Sequence, residues 1–152
     1  MTITRADVET ILIKRIGGLF ADLSLDGTTA DGTNEDLNDP VAYALQRLGY
    51  GVTNIAAVVD ADLSPVGTDD YLSLFDLAEL RALQTALNSA SIYTSITVGP
   101  RSEGLNQKAQ AIAGMIKAKA DAIKDDYGIG LGTFTTGYLT LDFARHGDDT
   151  VY

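Results

Sequence analysis

The sequence predicts a mainly α-helical fold, a small helical bundle with long central and C-terminal helices, plus short strands near residues 92–98 and in a C-terminal arm. Three observations predict it. Apolar residues recur at spacings of three and four over much of the chain. Gly and Pro stand at the ends of these periodic stretches. Clear alternation of apolar and polar residues, the pattern of strands, is confined to the 92–98 stretch and the segment after Gly128.

The N-terminal half is predicted to hold two helices joined by a long loop. A capping box that begins at Thr4 precedes an apolar stripe, which predicts a helix over residues 5–22. Residues 24–38 are rich in Asp, Gly, Thr and Asn and have no apolar period, so they predict a long, mobile loop. The Asp-Pro pair at Asp39 predicts the N-cap of the next helix, and Gly49 predicts its end.

The C-terminal half is predicted to hold the two long helices. Thr68 caps a stretch that runs to about Ser89, and its wide apolar stripe predicts a central core helix. The alternation over residues 92–98 predicts a strand that ends at Gly-Pro. A second periodic stretch predicts a helix over residues 102–127, with Gly128 as its left-handed cap.

Two parts of the chain follow from this pattern: a helical domain over residues 1–127 and a glycine-hinged arm over residues 128–152. The arm is predicted to pair with the 92–98 strand, with another chain, or with itself as a hairpin packed on the chain's own helices. We expect its apolar residues to contact a partner, and these candidates are Ile129, Leu131, Phe134, Tyr138, Leu139, Leu141 and Phe143.

Composition excludes several classes of protein. With no cysteine and one histidine, the chain has no disulfide, no thiolate metal site and no cluster of histidine ligands. The net charge of −10 argues against a protein that binds nucleic acid through its phosphates. Residues 1–70 hold 12 acidic and 4 basic residues (net −8), and residues 71–152 hold 9 and 7 (net −2). Because no long apolar run and no signal-peptide pattern occur, we expect no membrane span and an intracellular origin.

Three motifs suggest a chemical role, but for each of them a purely structural interpretation fits the sequence better. Residues 22–33 match the first half of a calcium-binding loop, but Thr33 stands where a bidentate Glu is needed. The alternating glycines after Gly128 follow a helix, whereas a phosphate loop precedes one. His146 lies beside two aspartates in an acidic tail without a nucleophile motif. We therefore expect no enzyme, no cofactor and no bound metal.

Four runs of the sequence resemble segments of head–tail adaptor (connector) proteins of tailed bacteriophages. The resemblance extends over roughly residues 4–130, none of the runs is a catalytic signature, and their order along the chain matches too. The runs are LNDPVAYALQRLGY (Leu37–Tyr50), LAELRAL (Leu77–Leu83), ITVGPRSE (Ile96–Glu103) and DYGIG (Asp126–Gly130).

The resemblance implies a structural protein of the virion neck, assembled in the host cytoplasm. About twelve copies would form a ring that joins the portal protein to a stopper or tail-completion protein and continues the DNA channel. DNA would pass as cargo without specific binding, and the C-terminal arm would reach along the portal. The alternative is a free-standing helical protein-binding module, tuned by calcium through the acidic loop.

Overall fold

The computed structural model is mainly α-helical and describes residues 2–96, 100–128, 134–136 and 139–141. The predicted helical class is therefore confirmed. Two 3-10 turns, Glu35–Leu37 and Thr68–Asp70, lead directly into the second and fourth helices. The elements are α1 Arg5–Asp22, α2 Asn38–Arg47, α3 Asp60–Leu63, α4 Tyr71–Ile96, α5 Pro100–Tyr127, β1 Phe134–Thr136 and β2 Leu139–Leu141.

The chain divides into two compact units, residues 1–86 and 87–152, and the division falls within α4. The division predicted from the sequence, between a 1–127 domain and a 128–152 arm, stays a prediction. None of the helices in the described part of the chain is both long enough and apolar enough to cross a membrane.

The first unit is built around apolar residues that recur at helical spacing. The capping box at the start of α1 is confirmed, because Thr4 Oγ1 accepts from Asp7 N (3.2 Å) and the Asp7 carboxylate accepts from Thr4 N (3.0 Å). The stripe on α4 is wide enough to make it the predicted central core helix of this unit. The buried core includes Val8, Leu12, Ile16, Phe20, Val41, Leu45, Leu63, Leu74, Leu77, Leu80 and Leu83.

The start of α2 differs from the prediction. The helix begins at Asn38, not after an Asp39 cap, because the preceding 3-10 turn runs straight into it. The Asp39 carboxylate instead accepts a hydrogen bond from Arg81 Nε (2.7 Å). The Asn38 side chain is bonded to the 54–59 segment, donating to Ala56 O (2.8 Å) and accepting from Val58 N (3.2 Å).

The strand predicted over residues 92–98 is wrong where the structure describes it, since α4 continues to Ile96. Extending an existing helix adds one hydrogen bond per residue with no new nucleation cost, whereas a strand needs a partner edge. Just before this stretch, Ser91 Oγ donates to Leu87 O (2.8 Å), a side-chain bond to the carbonyl four residues earlier that requires helical backbone. Residues 97 and 98 lie outside the described residues.

In the second unit, α5 has a narrow buried seam of Ile112, Ile116 and Ile123. Its end is as predicted: Gly128 has φ +64°, and its N–H donates to Lys124 O (2.9 Å). Farther on, β1 and β2 pair antiparallel, with Phe134 opposite Leu141 and Thr136 opposite Leu139. No third strand joins this pair among the residues that the structure describes.

Gly17 and Gly27 allow the backbone of the loop after α1 to pack directly against the backbone of the helix. A Cβ added to Gly17 would sit 2.5 Å from Gly27 O, and a Cβ added to Gly27 would collide with Gly17 O. Both obstacles are backbone atoms, which cannot move aside as a flexible side chain does. The neighbouring Gly18, in contrast, has no atom within 4 Å of its would-be Cβ.

We expect Gly17→Ala and Gly27→Ala each to lower the free energy of unfolding by about 1–3 kcal/mol, because the loop must shift to admit the methyl group. Gly18→Ala is the matched control: it should raise that free energy by about 0.5–1 kcal/mol, the helix-propensity gain. Urea unfolding of the three variants measures both effects. Equal stabilities for Gly17→Ala and Gly18→Ala would contradict the close approach.

Candidate functional site

A buried ion pair stands at the start of α1. Arg5 and Glu9 are 2% and 0% exposed, and Arg5 Nε donates to Glu9 Oε1 at 2.9 Å. Their spacing of four residues puts them on one helical face, which continues with the core residues of α1. Such a pair offsets its desolvation cost only when its other hydrogen-bonding groups are also satisfied.

The loop after α1 supplies those partners. Glu9 Oε2 accepts from Gly32 N (2.6 Å), and Glu9 Oε1 also accepts from Asn34 N (3.0 Å). Arg5 Nη2 donates to Asn34 O (3.0 Å). We call Arg5, Glu9, Gly32 and Asn34 the Arg5 cluster. It attaches the loop to α1 through two backbone amides and one carbonyl.

Asn34 extends this attachment through the loop itself. Its buried side chain donates to Asp26 O (3.0 Å) and Thr29 O (2.9 Å), and its Oδ1 accepts from Asp36 N (3.1 Å). One side chain therefore joins three parts of the loop. These contacts give the loop defined partners, and its predicted mobility over residues 24–38 stays a prediction.

The Asp26 carboxylate stabilises a turn in the same loop. Its Oδ1 accepts from Thr28 N (3.0 Å) and Thr29 N (2.9 Å). Hydrogen bonds from the side chain and backbone of Thr29, together with the backbone of Thr28, lower the pKa of Asp26 to about 2. No three acidic or histidine side chains in the described ranges form a group that could hold a metal ion. The loop that matches the first half of a calcium-binding motif thus uses this carboxylate as an acceptor for its own backbone amides.

An open cleft of about 230 Å³ lies beside the Arg5 cluster. Its Asp60 carboxylate accepts from the backbone N–H of Arg5 (2.6 Å), which fixes the 58–60 segment against the start of α1. Arg5 itself lines the cleft, and its Nη1 is the one buried side-chain N or O atom without a hydrogen-bond partner among the described residues. We call this the Arg5 cleft; it is lined by Arg5, Ala6, Asp31, Gly32, Val58, Val59 and Asp60.

The partner contacts predicted in the C-terminal arm are only partly within the described structure. Phe134 lies on β1, and Leu139 and Leu141 lie on β2, so the strand register brings three of these positions together. The other predicted contacts, together with His146, lie outside the described residues; those contacts are Ile129, Leu131, Tyr138 and Phe143.

Sequence reasoning missed the Arg5 cluster. The available signal was position: Arg5 and Glu9 precede the core residues Leu12 and Ile16 at steps of four, three and four, on the buried face. Charged residues ordinarily lie in solvent, so the spacing alone predicts an exposed pair. Nothing in the sequence indicated that Asn34, at a distance of 25 residues from Glu9, would complete the cluster.

Searches of protein-family models, curated proteins and solved structures give no match to this chain.

We expect Glu9→Gln to lower the free energy of unfolding by about 3 kcal/mol or more, because it leaves Arg5 charged and buried without its counter-ion. In the same Glu9→Gln variant, hydrogen exchange at the Gly32 and Asn34 amides should become faster than in the unaltered chain. The control is Glu79→Gln, which removes a partly exposed partner of Arg15 (2.8 Å) and should cost less than about 1 kcal/mol. Rapid exchange of both amides in the unaltered chain would contradict the attachment.

The pKa of Asp26 makes stability depend on pH in a defined window. Because its folded pKa lies near 2 and its ordinary value is 3.8, its ionised form stabilises the fold above pH 3.8. That stabilisation is lost as the pH falls toward 2. In Asp26→Asn, we expect a smaller loss of stability over this window than in the unaltered chain, measured by urea unfolding at several pH values. Parallel pH profiles would contradict this role.

Proposed function

We propose that this chain is a non-catalytic structural protein of a bacteriophage neck. In this proposal it forms a ring of about twelve copies between the portal and a stopper or tail-completion protein and continues the DNA channel. The basis is the resemblance of four sequence runs, in order, to head–tail adaptor proteins. It acts in the virion, and its partners are the portal, the tail-side protein and other copies of itself.

The structural observation that carries the proposal is the hairpin that follows the helical part of the chain. β1 and β2 have three residues each and pair with one another. Two-stranded hairpins this short are marginal in water, and their outer edges offer unpaired N–H and C=O groups. A neighbouring chain that adds a strand would satisfy those groups and stabilise the hairpin. This supports an arm that acts in an assembly.

The charge distribution supports passage of DNA without binding. Of the 12 acidic residues in positions 1–70, only Glu9 and Asp62 are buried. The others contribute to a negative surface that repels phosphates.

A helical protein-binding module remains the second candidate, and the Arg5 cleft favours it. This cleft is open, lined by both apolar and charged residues, and lies on a well-packed unit. Tuning of this module by calcium through the acidic loop stays a prediction.

The proposal is tested on particles that carry variants of the hairpin. Leu139→Asp with Leu141→Asp should reduce incorporation into the neck ring at least about tenfold, because it replaces two apolar side chains that are predicted to contact the partner with charged ones. Thr135→Lys with Thr140→Asp is the matched control: it also adds two charges to the hairpin, at positions that alternate with the apolar ones, and the opposite charges face each other across the strand pair. We expect the control to assemble. Incorporation is measured by mass spectrometry of purified particles.

Native mass spectrometry of the unaltered chain from its natural lysate gives the decisive contrast. A species of about a dozen copies, alone or with a portal-sized partner, is the expected result. A monomer or dimer in a complex with a single non-virion protein would contradict the ring and support the binding module.

A further inference from the structure

We propose that neighbouring copies in the ring contact one another through two different surfaces, an apolar and acidic patch on the first unit of one copy and a face of α5 on the next copy. The inference rests on the proposed function, because a ring requires one contact that repeats from copy to copy. The patch, which we call the Leu72 patch, consists of Ile55, Val59, Asp60, Asp69 and Leu72. The other surface, which we call the Met115 face, consists of Lys108, Met115 and Lys119.

The Leu72 patch is rich in exposed apolar side chains. Ile55, Val59 and Leu72 are 52%, 49% and 64% exposed. They are three of the five large hydrophobic residues that are exposed in the described part of the chain, and Met115, at 47%, is a fourth. Apolar side chains that are gathered on one surface mark an interaction site.

Hydrogen bonds to the start of α1 bring the two segments of the patch together. Tyr71 OH accepts from Ile3 N (3.2 Å), and Asp60 Oδ1 accepts from Arg5 N (2.6 Å). Each of these acceptors is the sequence neighbour of an apolar residue of the patch. Because the two donors are only two residues apart in the chain, both segments lie at the same end of α1, and one partner can cover both.

Charge identifies α5 of another copy as that partner. Residues 48–80, which carry the patch, hold six acidic residues and no basic one. Residues 104–120, in the middle of α5, hold three lysines and no acidic residue, although the whole chain has a net charge of −10. An acidic patch repels a second acidic patch and attracts a basic segment, so the contact joins unlike surfaces. Such a head-to-tail contact repeats from copy to copy and can close into a ring.

The Met115 face combines positive charge with an apolar side chain. Lys108 and Lys119 lie seven residues before and four residues after Met115, a spacing that puts all three on one side of α5. Both lysines are partly exposed. In the contact, the flexible methionine packs on the apolar side chains of the patch, and the lysines pair with its aspartates.

The test is cross-linking between copies, which is specific because the chain has no cysteine of its own. Val59→Cys and Met115→Cys are placed on separate copies, one of which carries a mass tag. They are treated with a short bis-maleimide, both as the ring from their natural lysate and as the purified mixture at millimolar concentration. We expect the mixed product between positions 59 and 115 to exceed either product of two like copies at least about fivefold.

Charge variants of α5 separate this contact from general attraction between an acidic and a basic surface. In the Met115→Cys copy, adding Lys119→Glu should lower the yield of the mixed product at least about fivefold, because a carboxylate then faces the acidic patch. Lys117→Glu is the matched control, since it makes the same change of charge on the opposite side of the helix. We expect it to leave the yield unchanged. Equal yields from the two variants would overturn the proposal.

Native mass spectrometry of the same samples distinguishes failure of the contact from failure of the ring. A ring that gives no mixed product would overturn the contact and leave the proposed function standing. A mixed product from purified copies that form no ring in their lysate would support the contact and contradict the ring. The contact would also be overturned by products of like copies alone, by the absence of any product, or by cross-linking within a single copy that carries both cysteines.

Discussion

The buried ion pair between Arg5 and Glu9 is the constraint on which the rest of the first unit depends. Two charges have been removed from water, so their remaining donors and acceptors require partners inside the protein. Glu9 obtains them from the amides of Gly32 and Asn34, and Arg5 obtains one from Asn34 O. The pair therefore determines where the loop lies, and the loop in turn determines how completely the pair is satisfied.

The loop has little else to hold it. Its polar composition offers few apolar side chains to bury, so its position depends on backbone groups that meet partners on α1. The loop contacts α1 near its N-terminus, where Gly32 N donates to Glu9 Oε2. It contacts α1 again near its C-terminus, where the backbone of Gly27 lies against that of Gly17. A loop fixed at both ends of α1 holds Asp31 beside Asp60, which is the condition for the Arg5 cleft to exist.

The sequence was sufficient for features that depend on neighbouring residues, and insufficient for those that depend on distant ones. The Thr4–Asp7 capping box, the extent of α1 and the Gly128 cap are local, and each was predicted. The structure has helix over residues 92–96 in place of the predicted strand, because a few alternating residues have no strand character without a partner edge. The cleft could not be predicted, because it joins residues from α1, the loop and the 58–60 segment.

An apolar pair at positions 5 and 9 would avoid the desolvation cost, yet it would not serve this fold. Buried ion pairs can often be replaced by hydrophobic residues without loss of stability, provided that no other group depends on them. Here the amides of Gly32 and Asn34 depend on Glu9, and an apolar side chain would leave both unpaired beside a closed core. A polar loop packed on an apolar helix face thus needs a charged acceptor there, and that acceptor needs Arg5.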